Sequence, residues 1–214
     1  MVPRRQPDAE SRLGGRRLDE DGAPAAMRMW QRDLDDGSTV TYRPIQPADK
    51  SKLLDGFRRL SPQSKHQRFL TPLKDLSDER LRYLTELDFI NHVAYVAELS
   101  DKAGRPGVAV GRWVRDGAKP ASAELAVTVA DQYQGERIGG DLIHLLAWSA
   151  VLRGIRILTA LVLSDNKPML ALLREAGARR VSHFEGTVEF AFYLPDDLAV
   201  VERSLMTRGL ASIA

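Results

Sequence analysis

With 214 residues, 43% of them hydrophobic, the chain can bury the core of one ordinary domain, and nothing in it suggests a second of similar size. Its 31 Lys and Arg against 29 Asp and Glu leave a net charge of +2, too even a balance to signal a nucleic-acid-binding face. The absence of cysteine excludes disulfides, thiolate metal ligands and a cysteine acyl-enzyme.

No apolar run approaches the length of a membrane span and no apolar leader opens the chain, so a soluble cytoplasmic protein without membrane contact is expected. Residues 1–26 carry five Arg and five Asp or Glu with almost no large apolar side chain, the composition of a disordered tail. Ser38–Ile45 alternates as a first strand. Pro47–Leu60 reads as an amphipathic helix with Leu53, Leu54, Phe57 and Leu60 inward. Ser61 and Pro62 start a short helix through Phe69, and Ser77 caps a third that carries Leu81, Leu84 and Leu87. Arg58, Arg59, Lys65 and Arg68 read as a solvated basic face, with an acidic protein partner as the sharper alternative. His92–Leu99 and Val108–Val114 form two strands joined by a turn at Asp101–Gly104.

The stretch from Ala123 to Gly177 reads as a βαβα unit. Leu125, Val127 and Val129 alternate with Glu124, Ala126 and Thr128, giving one greasy face and one small, polar face that carries a carboxylate. Gln134-Gly135-Glu136-Arg137-Ile138-Gly139-Gly140 leads directly into a helix, where backbone N–H groups and the positive dipole end suit an anion, most often phosphate. That helix, Gly139–Leu152, has a buried stripe of Ile143, Leu146, Ala147, Ala150 and Val151, and Gly154 ends it. The apolar run Ile155–Leu163 predicts a parallel strand covered on both faces. Asp165 and Asn166 then cap a helix with Pro168 in its first turn and Gly177 at its end. Leu198, Val201 and Leu205 predict a terminal helix that packs on the sheet or on a dimer partner. The histidines follow no ligand-like spacing, so no metal is expected.

This unit resembles the acyl-CoA-binding core of the GNAT N-acetyltransferases. Gln134 and Gly139 occupy the ends of that family's phosphate-loop motif, and Asn166, Leu172 and Gly177 match its second motif. Three positions depart: Arg137 stands where the middle glycine is usual, Leu173 where a tyrosine is usual, and Ala178 where a phenylalanine is usual. YRPIQPADKSKLLDGFRRLSPQSKHQRFL and LTELDFINHVAYVAEL resemble the bacterial protein-lysine acetyltransferases of the Pat type, so the likeness covers roughly residues 40–185.

The resemblance implies an α/β GNAT fold, a mixed twisted sheet with helices on both faces and splayed parallel central strands. It implies a stand-alone catalytic domain over 27–195, followed by a helical tail over 196–214. Acetyl-CoA is the implied acyl donor and a protein lysine the implied acceptor, with an acyl-CoA synthetase as one possible target and the protein a monomer or homodimer. Glu124 is the implied general base, its plainer alternative being a solvated carboxylate. Val127, Thr128 and Val129 are expected to pair with the pantetheine arm. Gln134, Gly135, Arg137, Ile138, Gly139 and Gly140 are expected to hold the pyrophosphate, and Asn166 the cofactor arm or only a helix start. Two other functions stay open: a small-amine or N-terminal acetyltransferase, and a non-catalytic acyl-CoA-binding regulator.

Overall fold

The computed structural model describes residues 27–70 and 73–213; the expected tail over 1–26 lies outside them. Among the described residues nine strands form one sheet: β1 (Met29–Asp33), β2 (Thr39–Pro44), β3 (His92–Leu99), β4 (Gly107–Arg115), β5 (Ser122–Val129), β6 (Ile157–Leu163), β7 (Arg179–Phe184), β8 (Thr187–Tyr193) and β9 (Ala211–Ile213). Their order across the sheet is β7-β8-β6-β5-β4-β3-β2-β1-β9. Among the described pairs only β5 and β6 run parallel.

Helices α1 (Lys50–Arg59), α2 (Pro62–Phe69) and α3 (Asp78–Thr85) cover one face over Ala94 and Val96. Helices α4 (Ile138–Val151), α5 (Lys167–Glu175) and α6 (Leu198–Thr207) join the main core on the other face. The starts of α2, α3, α5 and α6 follow from short polar side chains that accept a first-turn N–H: Ser61, Ser77, Asn166 and Asp197. None of the described helices is long and apolar enough to cross a membrane.

Several elements differ from the sequence-based expectation. Helix α4 is buried nearly all round, including Leu142, Leu145 and Trp148 outside the expected stripe. Helix α6 and β1 account for this: Trp148 packs edge-on against Trp30 at 5.5 Å and donates from Nε1 to Glu202. The terminal helix packs chiefly on α4. Strand β6 is covered on one face only; Leu158, Ala160 and Val162 are buried, whereas Leu161 on the opposite face is 47% exposed. Of the first three helices, α1 packs on β4 and α2 on β5. Strands β1, β7, β8 and β9 had no counterpart in the sequence reading, and β9 pairs antiparallel with β1 at the sheet edge.

Candidate active site

Strands β5 and β6 pair through Ser122–Ile157, Ala123–Leu158 and Glu124–Thr159, then separate. From Leu125 onward the edge of β5 that faces β6 has no strand partner, while its other edge stays paired to β4 as far as Val129. The fork opens into a cleft of about 390 Å³, a usual size for a ligand site. Its walls are Glu124–Val129 of β5, Ala160–Val162 of β6, the start of α5 including Asn166, and the loop before α4. Asn166 is buried at the cleft wall, with its Oδ1 accepting from Met169 N–H, so capping and lining coincide.

The far end of the cleft is the turn into α4. Gln134, Gly135, Arg137, Ile138 and Gly139 line it. Gly140 does not: a Cβ there would meet Arg208 Nη2 at 2.4 Å, so this glycine makes room for a guanidinium crossing behind the turn. Among the described residues, no protein acceptor meets the N–H groups of 135–140, and the first bonded amide of the helix is Asp141 N–H, to Arg137 O. Arg137 adopts φ +61, a left-handed conformation that costs an L-residue roughly 1–2 kcal/mol. The position where the family has glycine thus keeps a glycine-like backbone and adds a cation.

A buried ion cluster holds this turn from behind. Asp141, 1% exposed, accepts from Arg32 Nε at 2.7 Å, Tyr42 Oη at 2.6 Å and Arg208 Nε at 2.9 Å. Arg32 Nη2 donates onward to Glu136 O at 2.7 Å, and Arg208 Nη2 reaches Arg137 O at 3.5 Å. Burial opposes the charge on Arg32, but Asp141 outweighs it and raises the guanidinium above its ordinary value. Burial, then Asp141, likewise drives the Tyr42 hydroxyl upward, so it stays a donor. Strand β1 and the end of α6 are thereby tied to two consecutive carbonyls of the loop.

At the near end of the cleft sits Glu124, exposed and at the last paired position of the fork. Arg68 is its cationic neighbour. The guanidinium does not lie on a solvated face with Arg58 and Lys65: α2 packs against β5 and turns Arg68 into the cleft wall. Burial depresses Arg68 below the usual arginine range, with Glu124 pulling the other way. Arg58 and Arg59 are the exposed members, and Arg58 pairs to Asp75 at 2.9 Å.

No family model matches the chain. It is 35% identical over 152 residues to the acetyltransferase Pat of Mycolicibacterium smegmatis, across 71% of this chain but only 45% of that protein. An acetyltransferase of Pseudomonas aeruginosa is 31% identical over 140 residues, which cover 65% of this chain and 75% of the relative. The GNAT domain of Streptomyces lividans PAT superposes with a TM-score of 0.72 at 33% identity, over 80% of this chain and 99% of that domain. The chain belongs to the Pat-type GNAT acetyltransferases.

In GNAT terms, the fork, the loop and Asn166 surround one cleft, and Glu124 stands at its closed end. Leu173, at the usual tyrosine position, lines the cleft, and its aliphatic side chain has no proton to give. The sequence reading missed Asp141, Arg32 and Arg208. An acid in the first turn of a helix reads as an ordinary dipole complement, and its arginine partners come from opposite ends of the chain.

Proposed function

We propose that this GNAT protein transfers an acetyl or short acyl group from CoA directly to an amine, most simply a lysine side chain on a protein surface. The observation that carries the reading is the three-pair parallel register, which opens at Glu124 toward the unbonded amides of the α4 turn. An extended pantetheine arm would pair with the free edge of β5 as an added strand, and the pyrophosphate would take the N–H groups of Gly135, Arg137, Ile138 and Gly139 together with the Arg137 guanidinium. The thioester then lies near Glu124. Because Glu124 is exposed, a lysine on a folded partner can reach it without threading a tunnel.

A lysine attacks only when neutral, and its ammonium has a pKa of about 10.4, so a base must take a proton at the attacking nitrogen. Glu124 is that base, directly or through one water. The N–C bond forms at the thioester carbonyl, the C–S bond breaks with its electron pair on sulfur, and CoA departs as thiolate. An alkyl thiolate can leave without prior protonation, so the step needs no protein acid and the sulfur picks up its proton from solvent.

Acetyl-CoA at about 100 times its dissociation constant should add roughly 2.7 kcal/mol of stability, and labelled acetyl groups should appear on lysines of added proteins. Stabilisation without any transfer would favour a regulator that only binds acyl-CoA; transfer confined to small amines would move the acceptor. Arg137→Gly should relieve the left-handed strain and raise the unfolding temperature by a few degrees, while weakening acetyl-CoA about ten-fold through loss of a charged phosphate contact. Tighter acetyl-CoA binding by the glycine variant would show that the loop needs the backbone and not the cation.

A further inference from the structure

A second pocket, of about 100 Å³, lies between α1, α3 and strands β3–β5, on the sheet face that carries Glu124. Arg68 and Thr128 line both this pocket and the cleft, so the two are neighbours across one wall. The pocket is mostly apolar, with Leu53, Phe57, Val96 and Val110 among its walls. Its charged lining is unequal: Arg43, Lys52, Arg68 and Arg112 against Asp49 and Glu98. Both acids are already engaged. Arg43 grips Asp49 at 2.7 and 2.8 Å and Glu98 at 3.0 Å, and Lys52 reaches Glu98 at 3.4 Å.

Arg68 and Arg112 are the remainder. Arg112 is 4% exposed; Nη1 donates to Leu84 O at 3.2 Å and meets His92 Nε2 at 3.0 Å, while its buried Nε has no acceptor. Burial, then Arg112, pushes His92 down to about 4, and since a guanidinium only donates, this neutral ring accepts at Nε2 and supplies no countercharge. Buried Thr128 Oγ1 also has no partner. Among the described residues no carboxylate forms an ion pair with either arginine, Glu124 acting on Arg68 only at longer range, and Arg112 has no such neighbour. Burial and Arg68 together depress Arg112 to about 9, yet an arginine keeps its proton, so a bound anion is the remaining way to offset the cost.

We propose that this pocket takes the terminal carboxylate of a short dicarboxylic acyl group carried on CoA, with Arg68 at the entrance and Arg112 at the floor. The volume holds a handful of non-hydrogen atoms, enough for a two- or three-carbon chain ending in a carboxylate and too little for a peptide or nucleotide. An apolar sleeve with two guanidiniums fits such a chain, and the planar forks match a carboxylate. Separated from the cleft only by Arg68 and Thr128, the pocket continues from where the acyl end of the donor would sit. The inference rests on the acyl-CoA reading of the cleft and names the donor class.

The test is calorimetric titration of the whole chain with acetyl-CoA, butyryl-CoA and succinyl-CoA, the last two of equal carbon number. Succinyl-CoA should bind roughly ten- to one-hundred-fold more tightly than butyryl-CoA, the worth of one charge-assisted contact. Arg112→Met should bring that ratio to about one and, by removing an unmatched buried cation, unfold at a higher temperature without ligand. Arg68→Met serves as the second variant should the first not fold. Equal binding of the two esters by wild type, with acetyl-CoA still binding, overturns the donor assignment. If free succinate then binds the acetyl-CoA complex in an Arg112-dependent way, the carboxylate belongs to the acceptor; if it does not, the pocket takes no carboxylate. No binding of any ester overturns the cleft reading and this inference with it.

Discussion

Glu124→Gln is expected to slow acyl transfer by about 10²–10⁴-fold while acetyl-CoA affinity stays within about two-fold of wild type. The substitution keeps shape and hydrogen-bonding capacity and removes only the ability to accept a proton. Glu124 sits at the closed end of the fork, away from the loop assigned to the pyrophosphate, so binding and chemistry separate along the cleft. Single-turnover transfer at several pH values would read the effect. The wild-type rate should level off at lower pH than that of the variant, which must wait for lysine to lose its proton to solvent. Equal rates and equal profiles would return Glu124 to the role of a solvated carboxylate beside Arg68.

The legible parts of the fold were those whose signal is local. Ser61, Ser77 and Asn166 start their helices as their side chains dictate, and the alternation of β5 sorts Glu124 from Leu125 and Val127 without further information. What escaped depends on partners distant in the chain. Strand β9 is three residues long and pairs with β1 from the other end of the sequence. Strand β7 is exposed along its whole length, from Arg179 to Phe184, so no burial pattern marks it. Arg68 belongs to a run of basic residues that looks uniformly solvated, and only the packing of α2 on β5 decides that this one turns inward. The lining of the cleft was legible where a motif names a backbone position, as at Gln134 and Gly139, both of which border it. It was illegible where one charge depends on others, as at Asp141 and Arg112.

Asp141→Ala is expected to cost about 3 kcal/mol of stability, or roughly 6–12 °C in unfolding temperature for a chain of this size. The loss is not that of one favourable ion pair, since a buried pair gains little net energy once both partners are desolvated. It comes from what remains: Arg32, 6% exposed, keeps its charge with no carboxylate, and Arg208, 27% exposed at its side chain, loses its main partner and turns toward solvent. Adding Arg32→Met to Asp141→Ala should therefore recover part of the loss, although each change alone destabilises. Urea unfolding of the two single variants and the double variant gives the coupling directly. A double variant as unstable as the sum of the two singles would mean that the cluster is not acting as a unit. The same variants report on the loop. Arg32 and Arg208 hold the carbonyls of Glu136 and Arg137 only while Asp141 holds them, so Asp141→Ala should weaken acetyl-CoA even under conditions where the protein is fully folded. Arg208→Ala, which leaves Arg32 paired to Asp141 and to the loop, should weaken it less.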